Sequence, residues 1–350
     1  MQPFSIAPAR CKLGGMKLAD QVAQYRTPFV IIGTGKVIRL NNAADCAAQV
    51  AAAPIRFVLS DELTRLCTAL AYSKGARSLA CADLVRVPAE AVWIEWCSEP
   101  WERELERHGF RPLSQPSTRG ARRGVLVRAS PDGRRGALRT FWTGDAQVDV
   151  LASSLEAYFD LDTAEGEEPE PPPGEPPSPR RVDEGAESGD DILQRCFRFR
   201  YEPTWHRYYE TGGLSEQERE AVWRHALGTL AIDIPVLLGF FLLLGTRSGL
   251  PQRPQSFERL NRSRLKCGKA PLLAHIDVSA PILPDYARGA VEEASGVRRS
   301  PRLHHVRGHL VRRGSQLFWR VPHLRGSARL GAVRTRTVTW TVGAPLQDRR

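Results

Sequence analysis

The carboxyl-terminal part of this sequence lacks acidic residues. No Asp or Glu occurs between Ala294 and Gln347, although the same stretch holds 11 Arg and 4 of the 8 His. A surface of this composition carries a positive field and attracts polyanions, either nucleic acid or an acidic protein segment. A preference for Arg codons would explain why Lys is scarce, but it would not explain why acids are missing from one end.

Patterns that hold metals or form disulfides are also missing. The seven cysteines are scattered and odd in number, and no two of them form a CxxC pair. We therefore expect neither a disulfide framework nor a zinc ribbon, and a reducing cytoplasm is the predicted compartment. Because HExxH is absent as well, we predict no metal and no cofactor.

The chain has no apolar run long enough to span a membrane. Its most apolar segment, residues 234–245, covers 12 residues, whereas a spanning helix needs about 20. We predict a buried core helix there, and no secretory signal at the amino terminus. No heptad repeat predicts oligomerisation. The expected protein is cytoplasmic and without membrane contact.

An acidic, proline-rich segment divides the sequence. Residues 162–191 hold 11 acids and 7 prolines with almost no large apolar side chain. Such a segment cannot bury enough surface to offset its ordering entropy, so it predicts a disordered linker. The predicted domains are then residues 1–161 and residues 192–350.

Local signals predict an α+β fold in which each domain has a small antiparallel sheet with packed helices. Ser60, followed by two acids, predicts the start of a helix. Residues 91–96 alternate as a strand does, and Pro131-Asp132-Gly133 predicts a hairpin turn between residues 124–128 and 137–142.

The second half carries equally local signals. Ser215 and Glu218 form a capping-box pattern that starts a helix reaching about Leu230, and the apolar helix follows Pro235. Residues 249–254 are expected to form a loop. Residues 257–266 predict a short basic helix or an irregular segment, and after Ser295 the pattern changes to strands.

The basic end predicts a ligand-binding sheet. If residues 303–311 form one strand, His305, Arg307 and His309 project from one face, because side chains alternate along a strand. Residues 316–321 and 332–342 would complete a three-stranded antiparallel sheet, with Phe318 and Trp340 available for base stacking. The candidate ligand-binding residues are Arg302, His305, Arg307, His309, Arg312, Arg320, Arg334 and Arg336.

This surface allows more than one function. Arginines would contact phosphates or carboxylates, and the two histidines would add hydrogen bonds that strengthen as the pH falls. A binding protein without catalytic activity is the reading we favour. The enzymatic alternative is a metal-independent ribonuclease that uses His305 and His309 as general base and acid. A non-specific nucleic-acid-binding protein is a third interpretation.

Residues 302–309, with Arg307-Gly308-His309 followed by Trp319 and Pro322, carry a resemblance to a known family. They resemble the carboxyl-terminal signature of a phage anti-CRISPR family, the type V-A group of larger inhibitors that block production of the CRISPR effector nuclease. The apolar segment at 234–238 and the Gly249-Leu-Pro loop are similar to the family's apolar helix and following loop. The resemblance implies a phage or prophage protein that acts in the cytoplasm of a bacterial host cell and recognises a nascent chain or its ribosome-bound mRNA. It further implies that loss of that mRNA suppresses the target gene.

Overall fold

The computed structural model describes most of the chain between residues 17 and 332. The described residues are 17–24, 29–33, 36–40, 43–72, 83–107, 109, 121–143, 150–163, 196–202, 205, 215–247, 249–281, 302–306, 308–320, 323–325 and 327–332.

Eleven strands of the described residues form one large sheet. Their bounds are β1 (Phe29–Gly33), β2 (Lys36–Leu40), β3 (Ile55–Leu59), β4 (Ala91–Cys97), β5 (Arg122–Ala129), β6 (Arg135–Thr143), β7 (Val150–Ala152), β8 (Leu155–Asp160), β9 (Phe197–Tyr201), β10 (Gln252–Gln255) and β11 (His275–Val278). The order is β10-β11-β3-β4-β5-β6-β7-β1-β2, and β8 branches from β6 to pair with β9. The pairs β3–β4, β11–β3 and β1–β7 are parallel and the others antiparallel, so the sheet is mixed.

The remaining described strands form two small sheets near the carboxyl end. Their bounds are β12 (Arg302–Val306), β13 (His309–Arg313), β14 (Gln316–Arg320), β15 (His323–Arg325) and β16 (Ser327–Ala332). Strand β12 lies between β15 and β16, whereas β13 and β14 pair only with each other among the described strands.

Helices cover both faces of the large sheet. Their bounds are α1 (Leu18–Gln24), α2 (Ala43–Ala52), α3 (Asp61–Tyr72), α4 (Ser98–Arg107), α5 (Glu216–Ala231), α6 (Ile234–Leu244) and α7 (Glu258–Lys266). Side chains of α3, α4, α5 and α6 share the larger core with one sheet face. Those of α1 and α2 pack on the opposite face around Trp93 and Phe141. The described fold is thus three layers with two cores.

Helix boundaries follow the local signals in the sequence. Ser60 Oγ accepts a hydrogen bond from Leu63 N at 3.2 Å and caps α3. Ser215 and Glu218 form the capping box of α5, and each such cap satisfies an otherwise unpaired backbone N–H. The 257–266 segment is helical in α7. Residues 249–254 are only partly a loop, because β10 begins at Gln252 and pairs with β11.

The apolar segment forms α6, as predicted, and lies in the larger core. The helix reaches the sheet through Phe240, whose ring lies edge-on to Phe57 at 5.2 Å between centroids. Gly239 allows close approach to α3, since a Cβ added there would lie 2.8 Å from the Cys67 carbonyl oxygen. Residues 216–244 together are long and apolar enough to cross a membrane, but their most apolar part is mostly buried in the protein.

The α+β class is confirmed, but the two-domain arrangement is not. Strand β9 pairs with β8, and β11 pairs with β3, so segments that follow the acidic stretch enter the same sheet as segments that precede it. The prediction of a small antiparallel sheet in each half is wrong for the large sheet, which is single and mixed. The predicted linker at 162–191 lies outside the described residues from position 164 onward.

A buried ion pair joins these distant segments. Arg123, at the start of β5, donates from Nε to Asp233 Oδ1 at 2.9 Å and from Nη2 to Oδ2 at 2.8 Å. Asp233 lies between α5 and α6, and Arg123 Nη2 also donates to the Thr229 carbonyl at 3.1 Å. Burial raises the pKa of Asp233, and the neighbouring Arg123 guanidinium opposes that shift. The pair fixes the helical hairpin α5–α6 to the sheet.

Replacing Arg123 with Met should destabilise the fold strongly, because it leaves the Asp233 carboxylate buried without its partner. We expect a loss of about 3–5 kcal/mol in the free energy of unfolding, measured by urea denaturation. The double variant Arg123→Met/Asp233→Leu should recover most of that loss. Arg103→Met, which removes an exposed pair with Glu99 within α4, should cost below about 0.5 kcal/mol. Equal losses for both single variants would contradict a special role of the buried pair.

Candidate nucleic-acid interface

The basic segment does not form the single strand that the sequence predicts. Strand β12 ends at Val306 and β13 begins at His309, and the two strands belong to different sheets. The prediction of one strand over residues 303–311 is therefore wrong. The predicted antiparallel pairing with residues 316–321 is present between β13 and β14, but β12 pairs instead with β15 and, in parallel, with β16. The predicted third strand, residues 332–342, lies outside the described residues beyond Ala332.

Within the basic end, β13 and β14 form an antiparallel hairpin. A two-residue turn joins the strands, with Gly314 at φ 60° in its first position, as the hairpin turns that suit strand twist require. The register sets His309 opposite Arg320 and Val311 opposite Phe318. Because opposed residues share a face, the hairpin has two chemically different sides.

The inner side of the hairpin packs on the larger core. Leu317 is 4% exposed, and Leu310 and Trp319 pack against the same cluster. Arg247, just beyond α6, donates its backbone N–H to the Leu317 carbonyl at 3.0 Å. These contacts fix which side of the hairpin faces away from the protein.

The outer side, which we call the outward face, presents cations beside an aromatic ring. It consists of His309, Val311, Arg313, Gln316, Phe318 and Arg320. The three basic residues on it are exposed, and the Arg313 guanidinium lies 5.8 Å from the centroid of the Phe318 ring. Among the described residues, no carboxylate pairs with Arg313 or Arg320. The face therefore offers charge for phosphates and a ring for a base.

Arg312 lies on the inner side of the hairpin, and the carboxylate of Asp83 compensates its charge. Its Nη1 and Nη2 donate to Asp83 Oδ1 and Oδ2 at 3.0 and 2.8 Å, a bidentate pair with a residue 229 positions away. Its Nε donates to the Gly314 carbonyl. Arg312 was among the predicted ligand-binding residues, but in this arrangement it anchors the hairpin instead of joining the outward face.

The other predicted site residues do not join the outward face among the described residues. Arg302 and His305 lie on β12, in a different sheet from His309, with only their backbones described. Arg307, Arg334 and Arg336 lie outside the described residues. Conversely, Arg313 was missed, although a two-residue turn at Gly314-Ser315 would have placed it with Arg320 through the hairpin register.

Metal and thiol chemistry have little support in the described part of the chain. No group of three His, Cys, Asp or Glu side chains there is placed to hold a metal ion. Burial raises the pKa of the Cys46 thiol although Arg139 lies beside it, and burial also raises the pKa of the Cys67 and Cys97 thiols. Because the thiolate is the nucleophile, none of these three is activated.

Comparison of this chain with protein-family models, with curated proteins and with solved structures finds no match.

The cysteines give a direct test of this burial pattern. Cys267 is exposed, whereas Cys46, Cys67 and Cys196 are buried. Cys97 is half-buried, and the raised pKa of its thiol should make it react more slowly than Cys267. In a Cys11→Ser/Cys81→Ser variant, which removes the two cysteines outside the described residues, we expect a single fast-reacting thiol with an aromatic disulfide reagent. Adding Cys267→Ser should abolish the fast phase, and urea should expose the remaining thiols. A second fast thiol in the native protein would contradict the packing described here.

Proposed function

We propose that this protein binds RNA through the outward face of the hairpin β13–β14. We further propose that it is an anti-CRISPR-like phage or prophage protein, which acts on a ribosome-bound message or its nascent chain and suppresses expression of a target gene. The observation that carries the binding proposal is the division of the hairpin. Its apolar side is in the core, and its exposed side combines His309, Arg313 and Arg320 with Phe318.

Electrostatics supports a polyanionic ligand. The hairpin belongs to the stretch without acids, residues 294–347, so no carboxylate next to it in sequence competes for its cations. An Arg guanidinium presents parallel N–H donors that match two phosphate oxygens, and it remains charged at any physiological pH. Such contacts hold the backbone of a nucleic acid but read no sequence.

The aromatic ring favours RNA over an acidic peptide. Phe318 is partly exposed between Val311 and the Arg313 guanidinium, a setting in which an unpaired base can stack. An acidic segment of a nascent chain would use the arginines but would gain little from the ring. Binding that depends on the arginines and not on Phe318 would therefore indicate a peptide ligand.

The suppression of a target gene rests on the resemblance of residues 302–309 to the anti-CRISPR signature, together with the RNA-binding chemistry. Crosslinking the protein in its native host tests that step. Ribosomal proteins and one enriched transcript should copurify with the intact chain and not with an outward-face variant. Recovery of bulk RNA without enrichment would leave a non-specific nucleic-acid-binding protein as the better description.

The ribonuclease alternative uses His305 and His309 as general base and acid. It gains no support from a shared strand, because these residues lie on β12 and β13 in separate sheets. Incubation of the pure protein with RNA in EDTA decides the matter, because cleavage abolished by His309→Ala would restore that alternative.

Two kinds of substitution on the outward face should weaken RNA binding in different ways. Arg313→Ala/Arg320→Ala removes two phosphate contacts, so the slope of log K against log salt should fall by about 1.4 for single-stranded RNA. Phe318→Ala should leave that slope unchanged and cost about 1–3 kcal/mol of affinity through lost stacking. Both effects can be measured by fluorescence anisotropy of a labelled oligonucleotide over a salt series.

The matched control is Arg103→Ala/Arg224→Ala. These arginines are exposed on α4 and α5, and each pairs with a carboxylate four residues away. The control changes the net charge by the same amount and should leave the salt slope within error of the wild type. An equal loss in the control and in the outward-face variant would show that net charge, and not this face, governs binding.

A further inference from the structure

Helix α7 is unusual because none of its nine residues is buried. In the sequence it lies between β10 and β11, two strands that pair with each other at one edge of the large sheet. Leu260 and Leu265 on this helix are 49% and 60% exposed. A helix this short is marginal in isolation, so tertiary contacts must hold it in place, and they do so without contributing to the core.

Polar contacts hold α7 against the loop that follows it. Asn261 Nδ2 donates to the Leu272 carbonyl at 2.8 Å, and its Oδ1 accepts from Leu272 N at 2.7 Å. Arg264 Nε donates to the Ala270 carbonyl at 2.8 Å. The loop is fixed in turn, since Leu273 N donates to Asp20 Oδ1 on α1 at 2.6 Å. One side of the helix is thus clamped to the body.

The opposite side of α7 is a row of cations. With 3.6 residues per turn, Arg259, Arg262, Ser263 and Lys266 lie on one face, turned away from Asn261. All four are exposed. Among the described residues, no ion pair involves any of the three cations, and Glu258 is the one acid of the helix. Because the other side of the helix is clamped, α7 presents this uncompensated positive charge in a fixed geometry.

We propose that this cationic row of α7 is a second RNA contact, which holds the phosphodiester backbone while the outward face holds phosphates and a base. The proposal rests on the function proposed above, in that RNA is the ligand. The row extends over about 10 Å of helix at 1.5 Å per residue, long enough to meet more than one phosphate of a strand. Arg259 and Arg262 offer forked donors, and Lys266 adds a point charge.

The position of the leucines favours RNA over a membrane surface. A helix that lies on a bilayer turns its apolar face outward and buries it among the acyl chains. On α7 the side turned away from the protein is the cationic row. By the helical period, Leu260 and Leu265 lie to either side of that row. A partner that approaches α7 therefore contacts the charged side chains before the leucines. Because it carries no group aimed at a base, it should add affinity without sequence preference.

The test compares two triple variants of the full chain that remove the same charge. Arg259→Ala/Arg262→Ala/Lys266→Ala should lower the slope of log K against log salt for single-stranded RNA by about 2, from three phosphate contacts. Arg65→Ala/Arg103→Ala/Arg224→Ala removes three arginines that pair within their own helices, two of them exposed and Arg65 half-buried, and it should leave the slope unchanged. Urea denaturation of both variants confirms that the fold is retained, since none of the replaced α7 side chains is buried.

A local probe separates a direct contact from a general charge effect. Cys267 caps the end of α7 and is exposed, so a fluorophore attached there in the Cys11→Ser/Cys81→Ser variant reports on this helix. Added RNA should change its emission, and the α7 triple variant should abolish the change. An oligodeoxyribonucleotide of the same sequence shows whether the backbone contact requires the ribose 2′-hydroxyl.

The outcomes distinguish the two proposals. If the α7 variant matches its control while Arg313→Ala/Arg320→Ala still lowers the slope, the α7 contact is refuted and the outward face stands. If the wild type does not bind RNA, both proposals fail. Binding of the wild type to vesicles of anionic lipid, lost in the α7 variant and without an emission change on adding RNA, would assign α7 to a membrane surface instead.

Discussion

The buried pair between Arg123 and Asp233 determines how the second half of the chain meets the first. Its partners lie 110 residues apart, one on β5 and one between α5 and α6. The guanidinium also lies 4.6 Å from the centroid of the Trp101 ring, so it is enclosed by protein on several sides. A buried charge is tolerated only when it is paired and hydrogen-bonded. The pair therefore specifies one position of α6 against the sheet.

The position of α6 then determines which side of the hairpin reaches solvent. Arg247 follows α6 and holds β14 through the Leu317 carbonyl, while Leu317 itself enters the larger core. Once the apolar side is fixed there, the period of two along a strand leaves Arg313 and Arg320 on the other side. The bidentate contact between Arg312 and Asp83 also restrains this hairpin. The candidate binding face is thus a consequence of core packing, and no loop has to be positioned separately.

Sequence reasoning succeeded where a structure depends on neighbouring residues. The caps at Ser60 and Ser215 were predictable because each satisfies backbone groups within three or four positions. The placement of β11 beside β3 was not, because it joins residues more than 200 positions apart and local propensity carries no information about partners. The break between β12 and β13 escaped notice because the residues around Gly308 continue an alternating pattern. The same limit hid the partnership of Arg312 with Asp83. Arg313, by contrast, could have been recognised from the local turn at Gly314-Ser315 and the hairpin register that it sets.

The distribution of carboxylates argues that the net charge of +11 is localised. In the sheet, acids and arginines neutralise each other in the interior: Glu95 pairs with Arg122, and Glu156 pairs with both Arg128 and Arg200. Those acids are buried, so they are unavailable to compensate cations at the surface. Among the described residues, Arg313 and Arg320 on the hairpin and Arg259, Arg262 and Lys266 on α7 have no carboxylate partner. Clustered like charges oppose each other and cost stability unless a counter-charge binds. The fold holds two such clusters in place, one through apolar packing and one through the Asn261 clamp. The polyanion that we propose as the ligand would offset that cost on binding.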